Sequence, residues 1–82
     1  MYFVYLLLCA DKSIYTGITT NVARRLSEHK ARRASHYTSA HRAVKILHTE
    51  RFKNRSNAQK REAEIKRWDR KKKLELVRRG TS

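Results

Sequence analysis

The sequence of 82 residues has no proline, two glycines, a single cysteine and only 7 acidic residues. A lone cysteine excludes an intrachain disulfide framework and leaves no cysteine cluster for a structural zinc site. Since Cys9 lies in an apolar run, a buried structural thiol is its expected role. The lack of proline and of glycine-rich or serine-rich linkers indicates one domain over residues 1–82, with a core over about residues 2–79.

A membrane-spanning segment is also missing. The apolar run at residues 2–9 is too short to cross a bilayer and has no basic flank before it. Asp11 and Lys12 follow this run almost at once. We therefore expect a cytoplasmic protein that has no membrane partner.

What the sequence has in excess is positive charge. Lysine and arginine number 21 against 7 acidic residues, which gives a net charge of +14 and a pI of about 10.8. Such a surplus opposes compaction by self-repulsion, so it is typical of proteins that bind a polyanion. We expect a nucleic-acid partner, with phosphate contacts supplying most of the affinity. Charge alone also leaves a ribosomal surface or anionic headgroups open as alternatives.

The hydrophobic pattern predicts six elements in the order β-β-α-β-α-α. Strands are expected at residues 2–9, 14–18 and 43–52, and helices over 22–30, from residue 56, and from about residue 69 to 80. Ser56 followed by Gln59 matches a capping box, which predicts that the second helix begins there. The predicted fold is therefore α+β, a small three-stranded antiparallel sheet flanked by helices.

Two finer predictions concern the later elements. Alternation in the third strand places Val44 and Ile46 on one face, with His48 as a further candidate for the same face. Asp69 is the expected N-cap of the last helix, and Gly80 is expected to end it.

Tyr5 and Tyr15 lie in the two strands of the first hairpin, and their relation depends on its register. Residues directly opposite each other share a face of the sheet, so the tyrosines do so only if paired positions sum to an even number. A three-residue loop at positions 10–12 gives such a register, whereas a two-residue turn puts the tyrosines on opposite faces. Two strand tyrosines that only pack are the alternative to a reactive pair.

For the charged residues on the helices the question is the same, namely whether their role is structural or chemical. Arg25 and His29 are spaced i,i+4, so they project from one face of the first helix, whereas Arg24 points to solvent or to a phosphate. In the second helix Glu62 falls in the middle of the apolar stripe, where a carboxylate is costly unless a cation satisfies it. That cation is either a nearby arginine or lysine side chain or a hard divalent metal.

Together these residues resemble the GIY-YIG nuclease superfamily. "FVY" (3–5) stands where the first motif has Gly-Ile-Tyr, and "YTG" (15–17) stands where the second has Tyr-Ile-Gly. Arg25 and His29 follow at the family's offsets, and "AQKREAEIKRW" (58–68) places Glu62 like the glutamate of the family's third element. The resemblance covers about residues 2–79 and is greatest to the stand-alone bacterial members and the catalytic domain of the Slx-type structure-specific endonucleases.

The sequence departs from the family pattern at a few positions. Phe3 and Val4 replace the first glycine and isoleucine, and Thr16 replaces the central isoleucine of the second motif. No asparagine follows Glu62, although many members have one after the glutamate helix. The tyrosines and Gly17 still match, and the resemblance implies that Gly17 lets a sugar–phosphate backbone approach the sheet.

The resemblance implies a metal-dependent endonuclease that hydrolyses phosphodiester bonds in DNA, with branched or damaged DNA in repair or recombination as its substrate. Glu62 is implied as the ligand of one Mg²⁺ or Mn²⁺ ion, and Arg25 as the group that stabilises charge on the phosphoryl transition state. Tyr5 or Tyr15 is implied to position or deprotonate the attacking water, with His29 relaying or accepting the proton.

Further candidates for nucleic-acid contacts are basic or aromatic residues of the first helix and the segment after it: Arg24, Lys30, Arg33, Tyr37 and Arg42. The chain is expected to act as a monomer, and a protein partner could supply specificity. The alternative function is a non-catalytic DNA- or RNA-binding module of the same fold. A ribosome-associated protein is a third hypothesis, which leaves the set of tyrosines, arginine and glutamate to chance.

Overall fold

The structure, a computed structural model, describes residues 1–31 and 40–80. Its elements in this part of the chain are β1 (Tyr2–Cys9), β2 (Ile14–Thr19), α1 (Val22–Lys30), β3 (Ala43–Phe52), α2 (Arg55–Lys66) and α3 (Arg70–Gly80). The strands form one antiparallel sheet in the order β2-β1-β3. The predicted element order and the α+β architecture are confirmed. None of the helices in the described ranges is both long enough and apolar enough to span a membrane.

β1 pairs with β2 in the register that brings the two tyrosines to one face. Tyr5 lies opposite Gly17 and Leu7 lies opposite Tyr15, so paired positions sum to an even number. Because opposite residues share a face, Tyr5 and Tyr15 project on the same side of the hairpin. The hairpin therefore has the even-sum register that a joint site of the two tyrosines requires.

Of the two loops that the sequence left open, the three-residue loop is present and produces this register. The Cys9 N–H donates to the Ser13 carbonyl and the Lys12 N–H donates to the Cys9 carbonyl, each at 2.9 Å. Lys12 has a φ of 70°, the left-handed conformation that closes loops of this length. Asp11 accepts hydrogen bonds from the Ser13 hydroxyl at 2.6 Å and from the Ser13 N–H at 3.0 Å. These bonds lower the pKa of Asp11 to about 2, so its carboxylate stays charged at a lower pH than that of an ordinary aspartate.

The sheet face turned toward α2 carries the apolar core. Val4 and Leu6 of β1 pack with Ile14 of β2 and with Ala58 and Ile65 of α2, and all five are at most 8% exposed. Partly buried side chains of the C-terminal part of the chain pack against this cluster: Trp68, Leu74, Leu76 and Val77. α2 therefore docks through the stripe that the sequence predicted for it.

The opposite face of β1 is buried as well. Tyr5, Leu7 and Cys9 are each at most 1% exposed, and α1 supplies the fully buried His29 that contacts Tyr5 on this side. Cys9 is thus the buried thiol that was predicted. Burial raises the pKa of its thiol and favours the unreactive protonated form.

Side-chain caps fix where the helices begin. Asn21 caps α1 and Asp69, as predicted, caps α3, each accepting a hydrogen bond from a backbone N–H at 3.0 and 2.9 Å. The cap of α2 is Asn54, whose side-chain oxygen accepts from the Asn57 N–H at 2.9 Å. The prediction that Ser56 caps α2 is wrong, because the Asn54 oxygen already satisfies the first turn and the helix includes Ser56.

β3 departs from the predicted alternation. Leu6 pairs with His48, but the next residue, Leu7, pairs with Ile46, so β3 contains one extra residue at this point. Ile46 and His48 consequently lie on opposite faces of the sheet, and Val44 is 41% exposed. The prediction of His48 as a further residue on the face of Ile46 is wrong, because a bulge shifts the phase of the alternation between them.

Candidate active site

The buried phenol of Tyr5 is the centre of the candidate site. Its oxygen lies 2.6 Å from Nε2 of His29, and neither side chain is more than 1% exposed. Burial, together with the neighbouring Arg25 guanidinium, lowers the pKa of His29, so the ring is neutral at pH 7. Burial also raises the pKa of Tyr5 to about 12. A protonated phenol and a neutral imidazole therefore share this hydrogen bond.

Arg25 reaches the same phenol oxygen from α1. Its guanidinium hydrogen-bonds the Tyr5 oxygen, which raises the pKa of Arg25, and it donates a second bond to Oε1 of Glu28 at 3.2 Å. A guanidinium can only donate, so the single phenol proton of Tyr5 is left for Nε2 of His29. Both helix residues thus meet at Tyr5, on the common face that their spacing predicted.

Tyr15 completes the aromatic side of the site. Its ring centroid lies 6.2 Å from that of Tyr5 and 5.2 Å from that of His29, with the ring planes inclined by 44° and 63°. Tilted and edge-on contacts of this kind are favourable for aromatic rings. Tyr15 is partly exposed, unlike Tyr5, so solvent reaches Tyr15 more readily.

Glu62 lies on α2, and its charge acts on the site. Its side chain is 19% exposed and its carboxylate lies 3.5 Å from Nζ of Lys66, which is itself 52% exposed. After burial and the neighbouring Tyr15, the Glu62 charge adds to the rise in the pKa of Tyr5, so the carboxylate acts on the phenol. The sequence allowed a basic side chain or a metal ion as the cation that satisfies Glu62. The structure shows a basic side chain, Lys66, in this role. Since Lys66 is exposed, the carboxylate is not sealed in the core.

Gly17 lies beneath the Tyr5 ring. A Cβ atom at this position would lie 2.5 Å from the Tyr5 oxygen, 2.6 Å from Cζ of the same ring and 3.0 Å from Cε2 of Tyr15. The space that a side chain would need is filled by Tyr5. Gly17 thus has a packing role in bringing the tyrosines together, while the approach of a nucleic-acid backbone to it stays a prediction.

Glu62 is the member of this group that could hold a divalent metal ion. Within residues 1–31 and 40–80 no cluster of three or more His, Cys, Asp or Glu side chains is arranged to bind a metal. Mg²⁺ commonly keeps several waters and is bound through one or two carboxylates and the phosphates of a substrate. A single, partly exposed carboxylate fits this mode of binding.

The other residues predicted to contact nucleic acid are Arg24, Lys30, Arg33, Tyr37 and Arg42. Arg24 and Lys30 are exposed on α1. Arg42 is exposed as well, with a φ of 57°, and its carbonyl accepts a backbone hydrogen bond of 2.8 Å from the β1–β2 loop. Arg33 and Tyr37 lie outside the described residues. A nucleic-acid contact stays a prediction for all five.

One partner in the site was not anticipated. Glu28 accepts from Arg25, and its i,i+3 position on the same helix was the signal that could have revealed it. Its carboxylate holds the outer side of the guanidinium, while Tyr5 holds the inner side.

Known proteins are similar to this chain in sequence and in fold. The profile of the GIY-YIG catalytic domain matches residues 1–75, a range that contains both tyrosines, Arg25, His29 and Glu62. The chain belongs to the GIY-YIG family. Its membership confirms the resemblance carried by the two tyrosine motifs, and it places the domain in a family of nucleases.

This GIY-YIG domain is similar over most of its length to proteins named UPF0213. One from Natronomonas pharaonis is 50% identical over 76 residues, which cover 93% of this chain and 89% of that protein. One from Staphylococcus haemolyticus is 41% identical over 93% of each chain. The solution NMR structure of a UPF0213 protein from Bacillus halodurans matches with a TM-score of 0.59 and 37% identity, covering 94% of this chain and 83% of that one.

Proposed function

We propose that the protein is a divalent-metal-dependent endonuclease that hydrolyses phosphodiester bonds in DNA, with branched or damaged DNA as its substrate class. The observation that carries the proposal is the meeting of Tyr15, Arg25 and His29 around the Tyr5 phenol, whose pKa also responds to the charge of Glu62. They comprise a fixed cation for developing negative charge, a carboxylate for a metal and a neutral imidazole for a proton. The net charge of +14 supports a polyanionic substrate.

Arg25 would stabilise the phosphoryl group that reacts. Its guanidinium is always charged, and its planar fork matches the oxygens of a phosphate. Tyr5 and Glu28 hold it before any substrate is bound, so little reorganisation is needed when negative charge develops. Removing Arg25 should therefore slow the chemical step more than it weakens DNA binding.

Glu62 would hold one Mg²⁺ or Mn²⁺ ion. When bound, that ion supplies Lewis-acid polarisation of a phosphate oxygen and stabilises the leaving oxygen. Lys66 is the present partner of Glu62, at 3.5 Å with an i,i+4 spacing. The Lys66 ammonium is 52% exposed and can turn into solvent, so Lys66 is a weak competitor for the carboxylate.

The proton of the attacking water would end on His29. With a pKa of about 12, Tyr5 is ionised in about one molecule in 10⁵ at pH 7, so a free tyrosinate is a poor base here. We assign the positioning of water to the partly exposed Tyr15. Tyr5 would pass its own proton to Nε2 of His29 as its oxygen takes one from water, so that no tyrosinate accumulates.

A non-catalytic DNA- or RNA-binding module with the same fold is the second candidate. The ion pair between Glu62 and Lys66 favours it, because a lysine lies where a metal would need the carboxylate. The two functions differ in the role of Glu62, as a metal ligand or as the partner of Lys66.

Cleavage of linear, flapped and four-way DNA in Mg²⁺, in Mn²⁺ and in EDTA tests the proposal. Glu62→Gln and Arg25→Ala should each lower kcat by about 100-fold or more while DNA binding is retained. Glu64→Gln is the matched control, because Glu64 lies on the same helix and is 57% exposed, and it should cleave like the wild type. Equal cleavage by wild type and Glu62→Gln would contradict the role of Glu62. Retained binding without any cleavage by the wild type would favour the binding module.

A further inference from the structure

A cavity lies beside the Tyr5 group, where β2 passes into α1 and where α2 begins. This corner cavity has a volume of about 460 Å³. Its lining includes Tyr2, Arg24, Arg25, Glu28 and Arg55. Among the described residues, Arg25 belongs both to this lining and to the group around the Tyr5 phenol. The corner cavity therefore adjoins the candidate active site at Arg25.

The corner cavity is cationic. Three arginines stand against one glutamate in its lining, which leaves a net charge of +2. Glu28 is engaged by Arg25 at 3.2 Å. Neither Arg24 nor Arg55, both exposed, forms an ion pair within the described part of the chain. Two guanidinium groups that line one cavity without a carboxylate of their own repel each other, so a bound phosphate would stabilise the arrangement.

Tyr2 gives the corner cavity an aromatic wall. Its side chain is partly exposed and packs at the edge of the apolar core, beside Ile18 in the same lining. Nucleobases of every kind stack on aromatic side chains, because each base has a π-face. The cavity volume of about 460 Å³ falls in the range of small-ligand sites, about 300–1,000 Å³. An aromatic wall, two available guanidiniums and this volume suit a single nucleotide.

α2 carries both Arg55, which lines the corner cavity, and Glu62. Arg55 and Glu62 are seven positions apart on this helix. That spacing puts them on one face, about 10 Å apart along the helix axis. A DNA strand whose reacting phosphate lies at Arg25 and Glu62 can therefore continue along α2 toward Arg55.

We propose that the corner cavity binds the nucleotide next to the scissile phosphate of a DNA strand. Arg24 and Arg55 hold the phosphate of that nucleotide, and its base stacks on Tyr2. The inference rests on the proposed endonuclease function and names the residues that position the strand. Because they contact a part of the substrate that does not react, these three residues are positioning residues that act on KM rather than on kcat.

The salt dependence of DNA binding tests the phosphate contact. The probe is a fluorescein-labelled single-stranded oligonucleotide in EDTA, with anisotropy measured over a series of NaCl concentrations. Arg55→Ala should reduce the slope of log K against log [NaCl] by about 0.7, the value for one phosphate contact on a single strand. Loss of a basic residue from the first turn of a helix does not weaken the helix, so the variant should fold.

Arg67→Ala is the matched control for Arg55→Ala. Arg67 is exposed at the other end of α2 and carries the same charge. Its removal should leave the slope as in the wild type. Equal slopes for the Arg55→Ala and Arg67→Ala variants would overturn the inference. The change in slope would then reflect the loss of one positive charge anywhere on the protein, not the loss of a specific phosphate contact.

An abasic scan tests the stacking contact. Tyr2→Leu should weaken oligonucleotide binding about five-fold or more, whereas Tyr2→Phe keeps the ring and should bind like the wild type. Removing one base at a time should reveal a position, adjacent to the cleaved bond, where the wild type loses affinity and Tyr2→Leu does not. A partly unfolded variant would lose affinity for every oligonucleotide alike. The absence of any such position would overturn the stacking assignment.

Cleavage kinetics separate the failure of this inference from the failure of the proposed function. Arg55→Ala should raise KM several-fold with kcat unchanged, the reverse of the effect expected for Glu62→Gln. If the wild type cleaves no DNA, the endonuclease function fails, and the nucleotide assignment fails with it. If the wild type cleaves and Arg55→Ala has the same KM as Arg67→Ala, the corner cavity assignment fails alone.

Discussion

Replacing Gly17 with alanine would separate backbone freedom from packing at the centre of the site. Taken alone, alanine in a strand interior is favoured over glycine by about 0.5–1 kcal/mol, because glycine loses more backbone entropy on folding. At Gly17 the added carbon would lie 2.5 Å from the Tyr5 oxygen and 2.6 Å from its Cζ. The Tyr5 side chain is 1% exposed and is bonded to His29, so its ring has no solvent-facing position to move into.

The packing effect is the larger of the two. Inserting an extra carbon into a well-packed core costs about 1–3 kcal/mol, which exceeds the gain in backbone entropy. Gly17→Ala should therefore lower the free energy of unfolding by about 1–2 kcal/mol. In a domain of this size that corresponds to a decrease in Tm of about 4–16 °C.

Urea unfolding at pH 7, followed by circular dichroism, measures the effect of Gly17→Ala in three backgrounds: the wild type, Tyr5→Phe and Tyr5→Leu. In Tyr5→Phe the ring and its Cζ remain, so Gly17→Ala should still destabilise. In Tyr5→Leu the ring is gone and the nearest remaining contact is Cε2 of Tyr15 at 3.0 Å, so Gly17→Ala should destabilise clearly less than in the wild type. A Gly17→Ala protein as stable as the wild type, or one equally destabilised in the Tyr5→Leu background, would refute the argument that the Tyr5 ring requires glycine here.

Three further predictions follow from the helix caps and the titrating groups. Asn54→Ala should lower the free energy of unfolding by about 1 kcal/mol, because it removes the cap of α2, whereas Ser56→Ala should change it little in the same urea assay. In an NMR titration His29 should protonate below the ordinary value of about 6.5, since burial favours its neutral form. The unfolded chain binds this proton more readily, so the contribution of His29 to stability should fall as the pH drops below about 6.5 toward the folded pKa. Burial raises the pKa of Glu50, but hydrogen bonds that include one from Arg61 outweigh it, so Arg61→Ala should raise the Glu50 pKa in a carboxyl NMR titration.

The elements could be predicted because their signals are local. The apolar run of β1, the turn residues after it and the cap at Asp69 act within a few residues of chain, and the structure places all of them as expected. The relation of Tyr5 to Tyr15 could be reduced to the parity of the hairpin register, and the three-residue loop settled it. Arg25 and His29 followed from helical spacing, since both project from one face of α1.

What could not be predicted depends on contacts between distant segments. The extra residue in β3 that separates Ile46 from His48 leaves no mark in the composition of the strand. Asn54 and Ser56 are both good capping residues, so their competition is decided by where α2 docks on the sheet. Arg55 looked like one of many basic residues, because its place in the corner cavity depends on how the start of α2 meets α1 and β2.

The buried residues of the candidate site also form the layer of side chains between the sheet and α1. A variant in this layer can therefore lose activity because the fold is disrupted rather than because a chemical group is lost. Tyr5 and His29 are at most 1% exposed and fill the sheet face under α1 together with Leu7 and Cys9. A chain this small buries only about 60% of its unfolded surface, so it has no separate core that could keep the fold intact if this face were disrupted. A loss of cleavage in a Tyr5 or His29 variant therefore indicates a chemical role only if its free energy of unfolding equals that of the wild type. Glu62 lies on α2 and is 19% exposed, so Glu62→Gln changes the charge near the site with less change in packing than a Tyr5 or His29 variant.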